Sequence, residues 1–149
     1  MAGMSLVTKC NRSLSMNKKT IRTADAIASL NGKYVLIERQ KFPFGLAIPG
    51  GHIDPGEQPM QTAIRELTEE TGLSLHDAQF ITRRKGKKRD PRYAMSETSV
   101  YAGTASGVVK NEEGFTKVVL FTKAEILKMK PERFVFDHHD ILVKYLRKS

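Results

Sequence analysis

The chain has 149 residues, of which 40% are hydrophobic and 28% charged, and these values are ordinary for one folded domain with its own core. No apolar run reaches the ~20 residues of a membrane helix, and the polar N-terminus lacks the apolar stretch of a secretory signal. A net charge of +9 favours polyanionic partners, although lysine-rich surfaces also aid solubility. The single cysteine, Cys10, excludes an internal disulfide, and we therefore expect a reducing, cytoplasmic setting.

The first 20 residues predict a flexible basic tail. They combine Lys, Arg, Ser and Asn with no acidic residue, and such a segment cannot bury enough apolar surface to fold. We therefore place the folded domain at residues 21–149.

The folded domain is predicted to mix strands and helices. In chain order we expect strands at residues 21–29, 33–39 and 46–48, a helix at 58–71, strands at 76–85, 95–105 and 115–121, and helices at 124–129 and 137–147. Asn31-Gly32, between the first two strands, is the strongest short hairpin signal. The links are mostly short, and this order predicts an α+β fold in which helices cover a sheet.

The helix at residues 58–71 carries the most informative pattern. Its predicted buried face repeats at helical spacing and consists of Met60, Ala63, Ile64, Leu67 and Thr71. Glu66, Glu69 and Glu70 lie at i, i+3 and i+4 and share one face beside it. Like charges at this spacing repel, and acids near a helix C-terminus oppose its dipole. A hard divalent cation would compensate them, whereas the alternative is an ordinary solvated acidic face.

Residues flanking these glutamates stand at a fixed spacing that favours the cation. The fixed positions are Gly51, Glu57, Arg65, Glu66, Glu69, Glu70 and Gly72. A chance match at seven positions has a probability of roughly one in 10⁸. Residues 51–73, GHIDPGEQPMQTAIRELTEETGL, resemble the signature of the Nudix hydrolase family at every fixed position. The resemblance implies a Nudix-type α/β/α sandwich with a mixed β-sheet between helices, and metal-dependent hydrolysis of a diphosphate linkage.

The resemblance also implies a role for each signature residue. The implied ligands of Mg²⁺, or of Mn²⁺ in its place, are Glu66, Glu69, Glu70 and the carbonyl of Gly50. Glu57 would orient these ligands without binding the ion itself, and Arg65 would pair with a glutamate of the cluster and fix its rotamer. The ions would neutralise the diphosphate and lower the pKa of the attacking water.

The general base is a separate question, because the family uses either a signature glutamate or an acid on a later loop. Glu112 and Glu113 stand just before the predicted strand at residues 115–121, and we expect Glu113 to act in catalysis. The alternative is that both acids belong to an ordinary exposed turn.

The substrate prediction depends on Arg89-Asp90-Pro91-Arg92. This tetrapeptide resembles one at a similar distance after the signature in the ADP-ribose pyrophosphatases of the family. We therefore expect ADP-ribose to be cleaved to AMP and ribose 5-phosphate, with Arg89 and Arg92 contacting the substrate. Phe44 is predicted to stack on the base or the ribose. The alternatives are a solvent-exposed basic hairpin for the arginines and simple packing for Phe44.

The sequence also allows other functions. The alternative substrates are nucleoside triphosphates, including damaged ones, and capped RNA, while a non-catalytic nucleotide- or nucleic-acid-binding module is disfavoured because every signature glutamate is present. The basic tail and loop are predicted to bind nucleic acid without sequence specificity. The family resemblance suggests a homodimer. Asp137 is predicted to cap the last helix, and we do not expect His138 and His139 to bind metal.

Overall fold

The computed structural model describes residues 19–149, so the predicted flexible tail lies almost wholly outside the described residues. Within residues 19–149 the first strand begins at Thr20, one residue before the predicted start of the domain. The strands are β1 (Thr20–Leu30), β2 (Lys33–Arg39), β3 (Gly45–Ala47), β4 (Gly50–His52), β5 (Ser74–Lys87), β6 (Met95–Ser106) and β7 (Thr116–Phe121). The helices are α1 (Pro59–Thr71), α2 (Lys123–Lys128) and α3 (His138–Lys148), with a 3₁₀ turn at Pro131–Arg133.

Within residues 19–149 the strands form one mixed sheet with the order β3-β2-β1-β6-β5, to which β4 adds by pairing with β1 and β7 by pairing with β2. β1 and β6 are parallel and stay in register from Thr20 opposite Met95 to Ser29 opposite Thr104. The other strand pairs in this range are antiparallel. The predicted hairpin is confirmed, since Leu30 pairs with Lys33.

Side chains of the central strand β1 alternate between the two faces of the sheet, as a strand requires. Ala24, Ala26 and Ala28 pack in a cluster with Ala63 and Leu67 of α1, and their small size gives that helix close access. On the opposite face, the core contains residues of β1, α2 and α3, namely Ile27, Ile126, Ile141, Leu142 and Leu146. The predicted α+β sandwich, with a mixed sheet between helices, is confirmed.

Helix α1 lies close to its predicted position. Gln58 is its N-cap and forms a reciprocal capping box with Gln61. Gly72 ends it in the left-handed conformation at φ 77°, and its N–H donates to the Thr68 carbonyl at 2.8 Å. Met60, in the first turn, is 39% exposed, so the prediction that it belongs to the buried face is wrong and that face begins further along the helix.

Two local features were not predicted correctly. β4 (Gly50–His52) was missed, because a strand of three residues with two glycines carries no apolar alternation. Asp137 does occupy the N-cap position of α3, but its side chain makes no capping hydrogen bond. Its carboxylate accepts hydrogen bonds from Arg89 instead, because a guanidinium is a stronger donor than the helix N–H groups.

Deletion of residues 1–19 is expected to leave melting temperature, oligomeric state and catalytic rate unchanged. The physical reason is that β1 begins at Thr20 and already pairs there with Met95 of β6. Thermal melts, size-exclusion chromatography and a turnover assay on the shortened chain check this. An unfolded product or a change of oligomeric state would show that the domain begins earlier.

Candidate active site

The centre of the site is the start of β4, where Gly50 and Gly51, together called the glycine loop, pair with Asp25 and Ala24 of β1. Neither glycine has room for a side chain. A Cβ on Gly50 would lie 1.9 Å from Asp25 Oδ1, and a Cβ on Gly51 would lie 2.4 Å from Glu66 Oε1. The chain needs glycine here because its backbone lies directly against two carboxylates.

Two of the predicted metal ligands, Glu70 and Glu66, have pKa values raised by burial. The Gly50 N–H donates to Glu70 Oε1 at 2.8 Å. Burial, together with repulsion from neighbours that include Glu66 and Glu112, nevertheless raises the pKa of Glu70 to about 9. The pKa of Glu66 is also raised, with burial again the largest cause. A cation placed between these two groups would favour their ionised forms.

Arg65 joins three signature glutamates rather than the one that was predicted. Its Nε donates to Glu57 Oε2 at 2.8 Å, and its Nη1 donates to Glu66 Oε1 at 3.0 Å and to Glu69 Oε2 at 3.2 Å. Glu57 also accepts a hydrogen bond from the Thr62 hydroxyl. These bonds, that from Arg65 foremost, lower the pKa of Glu57 to about 2. Glu57 thus remains ionised and holds Arg65 beside the cluster.

Arg65→Ala is expected to lower kcat while leaving the domain folded, because the change frees the rotamers of Glu66 and Glu69 without removing a carboxylate. Loss of a residue that orients metal ligands typically lowers metal affinity or activity by ~10–100-fold. Steady-state kinetics and a thermal melt measure the two effects. Arg83→Ala is the matched control, since the Arg83 side chain is 58% exposed and lies on β5, away from the glutamate cluster on α1. Equal kcat values for the two variants would reduce Arg65 to a surface charge.

The glutamates have the chemistry of a site for a hard divalent cation. Among residues 19–149 the side chains do not form a group of three or more His, Cys, Asp or Glu arranged to hold a metal ion, and Glu57, Glu66 and Glu69 all pair with Arg65. The carboxyls of Glu66 and Glu70 nevertheless lie against the glycine loop. Carboxylate and carbonyl oxygens are the donors that Mg²⁺ prefers, so this donor set fits such a cation.

A cleft opens beside the glycine loop, on the side of the sheet that faces α3. Its ionisable and polar lining comes from β1, β2, β4, the β5–β6 loop and α3. It includes Asp25, Arg39, Arg89, Asp90, Arg92 and His138. The predicted substrate contacts Arg89 and Arg92 therefore both reach the cleft, while sequence reasoning missed Asp25, Arg39 and His138. Asp25 and Arg39 stand within predicted strands, where period-two patterning marks buried faces but not sites.

Arg89 makes interactions within the protein that occupy most of its donors. Its side chain is only 9% exposed, pairs with the Asp137 carboxylate and donates to Ser96 Oγ at 3.2 Å. It thereby joins the β5–β6 connection to the start of α3. We infer from these bonds that Arg89 shapes the cleft wall, whereas its predicted contact with substrate stays a prediction.

Arg92 and Arg39 present guanidinium groups to the same region of the cleft. Each guanidinium carbon lies 5.8 Å from the centroid of the Phe136 ring, a cation–π distance. Arg92 also pairs with the Asp90 carboxylate at 2.8 Å. Burial lowers the pKa of Arg39, and repulsion from Arg92 lowers it further. An anion bound between the two arginines would relieve that repulsion.

Phe44, the predicted stacking residue, is 69% exposed and is not part of the cleft lining. The aromatic residue that does line the cleft is Phe136, which adopts a left-handed backbone conformation at φ 56°. Sequence offered no signal for Phe136, because it lies in a connection between helices. Stacking by Phe44 therefore stays a prediction that the cleft does not support.

The two candidate loop acids differ in their relation to the glutamate cluster. Glu113 is exposed, whereas Glu112 is half-buried and raises the pKa values of both Glu66 and Glu70 by repulsion. Such repulsion requires proximity. Glu112 is therefore the better placed candidate for a general base, and the predicted role of Glu113 stays a prediction.

Comparison with known proteins identifies the family. A NUDIX domain is matched over residues 19–145. The chain belongs to the Nudix hydrolase family. The ADP-ribose pyrophosphatase of Methanocaldococcus jannaschii is 28% identical over 125 residues, which span 83% of this chain and 71% of that protein. The ADP-ribose pyrophosphatase of Bacillus subtilis is 27% identical over 132 residues, or 80% of this chain and 70% of that protein.

A solved structure supports the same fold for this Nudix hydrolase. The NUDIX domain of Shewanella oneidensis NrtR, complexed with ADP ribose, superposes with a TM-score of 0.75 and 24% identity. The match covers 90% of this chain and 91% of that one. Together the comparisons confirm the predicted pyrophosphohydrolase class and its resemblance to ADP-ribose pyrophosphatases. In residues 19–149 the structure contains no helix with the length and apolarity to span a bilayer.

Proposed function

We propose that this Nudix hydrolase cleaves the diphosphate of ADP-ribose to AMP and ribose 5-phosphate and requires a divalent cation, Mg²⁺ or Mn²⁺. The observation that carries the proposal is that a carboxylate cluster and two mutually repelling arginines flank the same glycine loop. Glu66 and Glu70 lie against this loop, which also lines the cleft that contains Arg39 and Arg92. The choice of ADP-ribose is supported by the two relatives that bear the name ADP-ribose pyrophosphatase.

The charges that flank the glycine loop match the two parts of a metal–diphosphate complex. Glu66, Glu70 and the Gly50 backbone would hold the cation by oxygen atoms. Arg39 and Arg92 would receive the phosphate oxygens that face away from the cation. They would do so through the N–H groups that are not bonded to the Phe42 and Pro43 carbonyls or to Asp90. When bound, the cation would neutralise the diphosphate and activate water.

The remaining residues of the site would act on these groups rather than on the substrate. Arg65 limits the rotamers of Glu66 and Glu69 through its hydrogen bonds. Glu69 is about half-exposed, so its carboxylate can turn toward a bound ion when that ion competes with Arg65. Glu112 would accept the proton of the attacking water, because its charge raises the pKa values of Glu66 and Glu70 and it is the less exposed of the two loop acids.

A substrate panel tests the proposal. ADP-ribose, nucleoside triphosphates including oxidised ones, and capped RNA are each assayed with Mg²⁺ and with Mn²⁺, and products are identified by mass. We expect the highest kcat/KM for ADP-ribose, with AMP as product. If triphosphates or capped RNA were preferred, the proposed substrate would be wrong, although the proposed metal-dependent hydrolysis would stand. If none of the substrates were hydrolysed, the proposal would be rejected.

Arg92→Ala separates binding of the substrate from the chemical step. The variant should raise KM for ADP-ribose by about tenfold or more, because a charge-assisted hydrogen bond contributes ~1.5–3 kcal/mol. Arg83→Ala serves again as the exposed control. Equal KM values for the two variants would show that Arg92 does not contact the substrate.

Three further assignments are also proposals. We infer a domain spanning residues 21–149 after a basic tail, a cytoplasmic location, and non-specific nucleic-acid binding by the tail and the basic β5–β6 loop. The net charge of +9 supports the last of these, and a steep loss of binding with added salt would test it. Sedimentation measurements would test the predicted homodimer.

A further inference from the structure

The segment that enters the glycine loop, Ile48-Pro49-Gly50, is fixed by one hydrogen bond at each residue. The Ile48 N–H donates to His138 Nδ1 at 2.9 Å, and the Pro49 carbonyl accepts from the Ala26 N–H at 2.8 Å. The Gly50 N–H donates to Glu70. Two of the three partners are side chains, and His138 is contributed by α3, far along the chain.

His138 belongs to a buried polar relay on the face of the sheet that α3 covers. Its Nε2 lies 3.5 Å from Asp25 Oδ2, and that oxygen also accepts from the Thr98 hydroxyl at 2.5 Å. His138 is 2% and Asp25 is 4% exposed. Burial of polar groups is costly unless they are paired, so a buried arrangement of this kind in the wall of the cleft calls for a reason.

The hydrogen bonds fix the tautomer of the imidazole. Nδ1 accepts from a backbone N–H and therefore carries no proton, so the ring proton of neutral His138 is on Nε2 and points toward Asp25. Asp25 in turn lies against the glycine loop, because a Cβ on Gly50 would be 1.9 Å from its Oδ1. The pair thus borders the loop at two points, through Ile48 and through Gly50.

We propose that His138 is a positioning residue for catalysis, which sets the backbone of Ile48-Pro49-Gly50 through its Nδ1 while Asp25 fixes its ring. The consequence is that α3 controls where the Gly50 carbonyl and the Glu70 carboxyl stand. The proposal rests on the proposed function in one respect, namely that these two groups hold the divalent cation. Loss of the Nδ1 acceptor weakens that cation site without removing any of its ligands.

Two substitutions at the same position separate the hydrogen bond of His138 to Ile48 from its contact with Asp25. In His138→Asn the amide oxygen stands where Nδ1 stood and can accept from the Ile48 N–H, while the contact with Asp25 is lost. In His138→Gln the longer side chain reaches toward Asp25 and leaves the Nδ1 position empty. His139→Asn is the matched control, because His139 is the next residue of α3 and bonds instead to the Met129 carbonyl at 3.1 Å.

Mn²⁺ affinity of the full chain without substrate is the primary measurement, followed by kcat, KM and the melting temperature in EDTA. We expect His138→Gln to weaken Mn²⁺ binding and kcat by ~10–100-fold, the usual range for residues that orient ligands, with little change in KM. His138→Asn should retain most of the Mn²⁺ affinity and most of the kcat of the wild type. His139→Asn should match the wild type.

The outcomes distinguish a positioning role from packing alone. If both variants at position 138 lower the melting temperature but bind Mn²⁺ as the control does, His138 only packs and the proposal is overturned. Equal losses in the Asn and Gln variants also overturn it, as does a wild type that binds no Mn²⁺. Failure to cleave ADP-ribose leaves the Mn²⁺ comparison intact and rejects only the proposed substrate.

Discussion

Glu70→Gln is expected to lower kcat by on the order of 10²-fold or more while making the metal-free protein more stable at pH 8. The variant keeps the size of the side chain but removes a charge that helps to hold the cation. Cation catalysis contributes several kcal/mol, and each ~1.4 kcal/mol corresponds to a factor of ten in rate. Turnover and thermal melts on one preparation measure both effects.

The gain in stability follows from the sign of the pKa shift. The pKa of Glu70 is raised from 4.5 to about 9, chiefly by burial. The favourable contribution of the protonated group is therefore complete below about pH 4.5 and is lost as the pH rises toward 9. Each pH unit in this window lowers the free energy of unfolding of the metal-free protein by up to about 1.4 kcal/mol. In the Gln variant this slope should disappear.

Glu69→Gln and Glu38→Gln complete this experiment. Glu69 is also a predicted ligand, so its variant should lose turnover, but its carboxylate is about half-exposed and little stability should change. Glu38 is exposed on β2, and its variant should resemble the wild type in both measurements. Near-normal turnover in both the Glu69 and the Glu70 variants would contradict the metal mechanism and leave an ordinary acidic helix face.

Removal of divalent cations with EDTA is expected to lower hydrolysis by on the order of 10³-fold or more, since the stabilisation that a bound cation supplies amounts to several kcal/mol. Added Mg²⁺ or Mn²⁺ should restore the rate. EDTA already saturated with Mg²⁺ is the control for inhibition by the chelator itself. Full activity in excess free EDTA would mean that Glu66 and Glu70 serve some purpose other than cation binding.

Sequence patterns located the helix of the signature glutamates well because its signals are local. The helix is α1, and its start at Pro59, its end at Gly72 and the shared face of Glu66 and Glu69 depend on residues within one stretch of chain. The Asn31-Gly32 hairpin was predictable for the same reason, since both residues have positive φ. Such features are determined before any tertiary contact forms.

The arginine-lined part of the cleft was harder to predict because it is assembled from distant parts of the chain. Arg39 and Phe136 come into contact only after β2 and the residues before α3 are brought together. No spacing in the sequence predicts that contact. Arg89 was expected to contact substrate, yet its bonds with Asp137 depend on a fold that composition does not reveal. Phe44 was favoured for being aromatic, but a side chain's type does not determine which way its loop turns.

The parallel pairing of β1 with β6 has a consequence for how the protein is made. Thr20 pairs with Met95, and β2, β3, β4, α1 and β5 are all synthesised between these two partners. On the ribosome, β1 therefore waits with one edge open until β6 emerges, and long-range pairing of this kind folds slowly. An unpaired edge strand is a template for association between chains. Rapid overexpression should therefore favour aggregation of incomplete chains, and slower synthesis at lower temperature should increase the soluble yield.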